Sequence, residues 1–191
     1  MPARVSIASL ALVAALGLAA GGCSGRSASP PTTGTAANKP EAGHAAPELE
    51  ALLPDKVEKT KLIKGSTTGA AVFGSDTFSK TMSKFLKSAG KKPSDLRFAN
   101  AQDQTGLVGL ETGVFEVHGI EAPKLLQAIV SSSRPGAPGL KVSTGTVGGK
   151  PVTKAVFPGS SVLYLYPRGE RVFYVGTQTE SVAALILATF P

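Results

Sequence analysis

The segment that most limits how this chain can fold lies between Cys23 and Pro47. Of its 25 residues, 19 are Ser, Gly, Pro, Ala or Thr, and none is a large apolar residue. Such a stretch cannot bury enough surface to offset the entropy of ordering it, so it is expected to be a disordered tether. A flexible chain of that length spans roughly 25 to 30 Å root-mean-square. His44 falls within it and reads as a solvated tether residue. A packed core is therefore confined to residues 48–191, which is 144 residues and an ordinary size for one domain. A chain that long buries about two-thirds of its unfolded surface and folds without a disulfide. Cys23 is the only cysteine, so no internal disulfide can form.

Ahead of the tether, Arg4 is the only charged residue, and an apolar run from Leu10 to Leu18 follows it. The run is too short to span a bilayer, which takes about 20 apolar residues. A basic start followed by a short hydrophobic stretch is the pattern of an export signal. Ala19, Ala20, Gly21 and Gly22 then lead directly to Cys23.

This stretch, residues 1–23, resembles the lipobox of bacterial lipoproteins, with Ala20 where leucine is commonest in that family. The resemblance implies a signal peptide over residues 1–22, cleavage just before Cys23, and a diacylglyceryl group on the Cys23 thiol. Each buried methylene contributes about 0.8 kcal/mol, and two chains hold a protein firmly at a bilayer. The expected location is the outer face of the cytoplasmic membrane, or an outer membrane in a cell that has one. The alternative is an ordinary signal peptide cut near Ala20, leaving Cys23 as a free thiol.

Hydrophobic periodicity predicts an α+β domain with a mainly antiparallel sheet and about three helices. Leu49 to Leu53, between Pro47 and Pro54, predicts one or two helical turns. Phe78, Met82, Phe85, Leu86 and Ala89 fall on one face of a helix over Asp76 to Ala89, with Ser75 or Asp76 as cap and Gly90 as stop. Strands are predicted near Leu96 to Ala101 and within Leu107 to His118. A helix begins near Glu121, with Pro123 in its first turn. From Leu140 onward the pattern is a meander, turning at Gly148-Gly149, Pro158-Gly159 and Pro167 to Glu170. Ser181 to Phe190 reads as a last helix, and Thr177-Gln178-Thr179-Glu180 has capping-box spacing. Val72-Phe73, helix, Leu96 is mirrored by Val114-Phe115, helix, Leu140. Two such strand-helix-strand units suggest a ferredoxin-like, split βαβ arrangement with a C-terminal β-meander and a final helix.

No catalytic constellation stands out. Gly65 to Gly69 has the glycine spacing of a nucleophile elbow, but threonine holds the central place, and the stretch reads as a turn. Ser88-Ala89-Gly90-Lys91 has Ser-x-x-Lys spacing, yet Gly90 ends the helix that would align its lysine. Thr144 to Lys150 is glycine-rich without phosphate-loop spacing. His118 alternates with apolar Val117 and reads as an edge or hydrogen-bonded structural histidine. The sequence predicts no cofactor and no metal. The formal charge of +7 is mild and, for an exported chain, favours no nucleic-acid role.

Two surfaces remain as candidates. Lys80, Lys84, Lys87 and Lys91 recur opposite the apolar stripe of the first long helix. They form either a plain solvated face or a contact for anionic lipid headgroups or acidic envelope polymers. In the Val162 to Val175 hairpin, Tyr164, Tyr166 and Tyr174 are read onto one side with Val162 and Val172, away from Leu163, Leu165, Phe173 and Val175. That side either lies under a helix or lines a recognition groove. The expected function is therefore non-catalytic binding by a membrane-anchored domain, with an envelope protein partner as a further option. The alternatives are an envelope hydrolase or transferase with His118 beside a serine and a carboxylate, or a structural component of the envelope.

Overall fold

The computed structural model describes residues 43–103, 110–158 and 162–191. The expected signal segment, Cys23 and the part of the expected tether up to residue 42 lie outside the described residues.

Every strand pairing is antiparallel, and one eight-stranded sheet results. In chain order the elements begin with a one-turn helix α1 (Pro47–Glu50), then β1 (Lys56–Val57), β2 (Thr60–Thr68) and a second one-turn helix α2 (Gly69–Val72). The long helix α3 (Thr77–Ser88) leads to β3 (Leu96–Asp103) and β4 (Glu111–Val117). After α4 (Ala122–Ser133) come β5 (Lys141–Val147), β6 (Lys150–Val156), β7 (Val162–Arg168), β8 (Arg171–Gly176) and α5 (Glu180–Thr189). The strand order is β1-β2-β3-β4-β8-β7-β6-β5, so the C-terminal meander folds back to pair β8 with β4.

The class is α+β, as the periodicity predicts, but the strand order is not the split βαβ one. That arrangement needs the strand entering each helix to run parallel to the one leaving it. Here β2 and β3, joined through α2 and α3, are antiparallel neighbours, with Thr68 opposite Arg97. β4 and β5, joined through α4, are separated by β8, β7 and β6. The predicted duplication fails because Val72-Phe73 ends the α2 turn rather than forming a strand. The real strand lies earlier and includes Gly65 to Thr68, which reads locally as a turn. Tertiary bonds decide it: Ser66 Oγ accepts from the Ala46 amide at 2.7 Å, and the Ala45 amide donates to the Ser66 carbonyl at 3.1 Å.

Those bonds also draw residues 43–47 into the domain. His44 forms a β-bridge with Ser66, its Nδ1 lies 2.9 Å from Glu50 Oε2, and Ala46 is fully buried. The ordered domain therefore begins several residues before Glu48, and His44 is part of it.

Both faces of the sheet are covered. On one, α1 and α5 pack Leu49, Ile186, Leu187 and Phe190 against Val114, Tyr164, Tyr166, Phe173 and Val175. On the other, α3 and α4 pack Met82, Leu86, Leu125 and Ile129 against Val117, Leu165, Val172 and Tyr174. Helix α3 has the predicted apolar stripe from Phe78 to Leu86 and the predicted cap, Asp76 accepting from the Ser79 amide at 2.9 Å; Ala89 lies past its last residue and is exposed, and the chain turns away at Gly90 with φ 69°. Helix α5 departs from its predicted capping box. It starts at Glu180 with Thr179 as N-cap and no side-chain cap bond, so Glu180 stands at the first helical position rather than the third, and its carboxylate accepts from Lys154. Gly148 and Gly149, at φ 59° and 75°, form the tight β5–β6 turn, in a region that side chains rarely enter.

Candidate functional site

The three tyrosines do not share a face. The β7–β8 register pairs Tyr164 with Val175, Leu165 with Tyr174 and Tyr166 with Phe173. Directly opposed residues point the same way, so Tyr164 and Tyr166 lie under α5 and Tyr174 lies under α3 and α4. A two-residue turn, Gly169-Glu170, sets this register, since Arg168 pairs with Arg171. One residue more or less in the turn would bring all three together. All are buried, at 1%, 8% and 4% exposure. Their polar tips are engaged: Tyr174 donates to Glu111 at 2.9 Å, Tyr164 contacts Glu180 at 3.5 Å, and Tyr166 contacts the Pro191 carbonyl at 3.4 Å. Lys154 and Lys150 sit 5.3 Å from the ring centres of Tyr164 and Tyr166. The candidate recognition face is thus core.

The Tyr174 ring also lies over Gly113, where a Cβ would come within 2.6 Å of it. Burial raises the Glu111 carboxyl above its ordinary range, opposed by the Tyr174 hydrogen bond. The Tyr174 phenol is pushed well up by its own burial and by the Glu111 charge.

The lysines fare differently. Lys80, Lys84 and Lys87 are exposed on α3, and none has an acidic partner among the described residues. Nearby acids are occupied by backbone: Asp76 caps α3, and Asp95 accepts from the Lys92 amide at 2.7 Å. The Ser79 hydrogen bonds hold the Asp76 carboxyl below its ordinary range. Three other lysines are paired, Lys64 with Asp55 at 2.7 Å, Lys124 with Glu121 at 3.4 Å and Lys154 with Glu180 at 2.9 Å, while Lys56, Lys59, Lys61, Lys92 and Lys141 are exposed without an ion pair among the described residues. Lys91 departs from the predicted stripe. Helix α3 ends at Ser88, and Lys91 is half-buried, with its ammonium against Gly119 in the β4–α4 connection. The Ser88 hydroxyl donates to the Phe85 carbonyl at 2.7 Å, so Ser88 and Lys91 do not act together.

His118 is exposed just past β4, a central rather than an edge strand, and is hydrogen-bonded, with Nδ1 3.0 Å from Glu170 Oε2. The second histidine joins a cluster that residue types alone do not reveal. Ser66 donates to Glu50 at 2.5 Å while Glu50 also holds His44. The carboxylate stands between serine and imidazole, so no imidazole can take the serine proton, and the cluster serves to pin the start of the domain onto β2. Among the described residues, no group of three or more His, Cys, Asp or Glu could hold a metal, and no helix is long and apolar enough to cross a membrane. The chain matches no known family model, no curated protein and no solved structure.

Two concavities among the described residues bear on the search for a site. One, of about 350 Å³, lies beside the β7–β8 turn and is lined by Glu116, Arg168, Glu170, Arg171 and Phe173. Its inner carboxylate, Glu116, is bound on both sides, by Arg97 and by Arg171 Nε at 2.8 Å, with Arg97 also paired to Glu48. Its charges are thus largely mutually satisfied. The other, of about 290 Å³, runs between α3 and α4, where Thr81 and Phe85 face Lys124, Gln127, Ser131 and Ser132. Sequence reasoning missed it. The available signal is Ser132, a hydroxyl placed on the apolar stripe of Leu125 and Ile129.

Proposed function

We propose that this protein is an exported, lipid-anchored binding protein whose domain meets an anionic envelope surface through α3. The observation that carries this reading is cationic charge gathered on one exposed helix face, without acidic partners among the described residues. Lys80, Lys84 and Lys87 stand exposed and unpaired while the acids nearest them in sequence are tied to backbone amides. A lysine close to an anionic bilayer contributes about 1 kcal/mol, so three together give roughly 3 kcal/mol. That is weak for a free protein. A tether some tens of ångströms long converts it into an intramolecular contact at high effective concentration. The tyrosines, being core, support no second recognition surface.

The test uses residues 23–191 with Cys23→Ser, which cannot be acylated and retains every described residue. It should co-sediment with vesicles containing phosphatidylglycerol, release as salt rises, and ignore phosphatidylcholine vesicles. Replacing Lys80, Lys84 and Lys87 with glutamine should abolish the binding. Identical retention of that variant would overturn the proposal.

A further inference from the structure

We infer that the groove between α3 and α4 is a subsite for the phosphate–polyol headgroup of an anionic phospholipid. The inference rests on the membrane-contact reading above and gives it a stereochemical target.

The decisive feature is Ser132. It is 1% exposed, lines the groove, and its hydroxyl has no hydrogen-bond partner among the described residues. A helical serine ordinarily satisfies itself on the carbonyl one turn back, as the adjacent Ser133 does with Ile129 at 2.9 Å. Ser132 does not, and an unpaired buried hydroxyl is destabilising until a partner arrives.

The other lining groups fit the same occupant. Lys124 brings the cation, Thr81 and Ser131 bring hydroxyls, and Gln127 brings an amide that both donates and accepts. No carboxylate lines the groove; Glu121 touches Lys124 from the exposed side at 3.4 Å. Phosphate oxygens accept from the ammonium and hydroxyls, glycerol hydroxyls match Gln127, and Phe85 offers an apolar wall to the ester region. At about 290 Å³ the space lies at the lower edge of small-ligand sites, which run about 300 to 1,000 Å³. Phe85 belongs to the apolar stripe, but Thr81 is the i,i+3 neighbour of Lys84 on α3, so the edge of the groove borders the lysine face.

The experiment follows backbone amides by NMR while the Cys23→Ser chain, residues 23–191, is titrated with dihexanoyl-phosphatidylglycerol below its micelle concentration. Saturable shifts are expected at Gln127, Ser131 and Ser132. Ser132→Ala should weaken the dissociation constant about five- to tenfold. The same substitution should raise the melting temperature of the free protein, because it removes an unpaired hydroxyl. Unchanged binding with a lowered melting temperature would mark a purely structural serine and overturn the inference. Equal affinity for glycerol phosphate would overturn the lipid assignment. Vesicle binding without saturable groove shifts would remove the subsite and leave the lysine contact standing. Loss of vesicle binding by the parent chain would remove both.

Discussion

Glu116→Gln is the most informative single change to the sheet. Glu116 on β4 stands directly between Arg97 on β3 and Arg171 on β8, and it is 5% exposed. Each oxygen accepts from a different guanidinium, so the amide removes the shared countercharge and turns its NH2 toward a donor. Breaking a buried ion pair by removing one partner costs about 3–5 kcal/mol. Both arginine side chains are more than a third exposed, at 37% and 38%, so water recovers part of their solvation. The expected loss is therefore about 2–3 kcal/mol, which for a domain this size lowers the melting temperature by roughly 5–10 °C. Thermal melts by circular dichroism at 0.15 M salt measure it, with Glu180→Gln as control. Glu180 pairs with Lys154 at the surface and should move the transition hardly at all. If both variants melt within about 2 °C of the parent, the ladder is not a structural unit and the reasoning fails.

Gly113→Ala would put a Cβ 2.4 Å from the Ala99 carbonyl and 2.6 Å from the Tyr174 ring, and should destabilise by about 3 kcal/mol or more in denaturant titration. Gly145→Ala, on the open edge strand β5 with nothing within 4 Å, should be close to neutral in the same assay. Glu111→Gln should raise the melting temperature by a few degrees at pH 7. Burial raises the folded-state pKa of Glu111, so the charged form is penalised above it, and the advantage of glutamine should vanish as pH falls below about 4.5, the ordinary value. A constant advantage across that range would show that charge is not its source.

Local signals were legible where the physics is local. The apolar spacing of α3, its Asp76 cap and the Gly148-Gly149 turn are each set within a few residues, and all appear as read. Strand β2 was not, because Gly65, Ser66, Thr67 and Thr68 carry little apolar signal; contacts from α1, above all Ser66 with Glu50, specify it. The tyrosine face failed on a single residue of register at Gly169-Glu170, which no alternation pattern can count. The β4–β8 closure joins segments some sixty residues apart, so it has no local signature. The lysine stripe was readable on the helix and lost at its end, where Gly90 redirects Lys91 toward Gly119. Ser132 was visible as a polar residue on an apolar stripe, but only packing against α3 reveals that nothing bonds to it.

The proposed lipid anchor bears most directly on the whole functional account, and fatty-acid labelling of cells producing the full chain or its Cys23→Ala variant tests it. The account predicts that the full chain is labelled and stays with membranes in high salt, while the Cys23→Ala variant takes up no label. Equal labelling of both, or an unlabelled protein released into the medium, would contradict it.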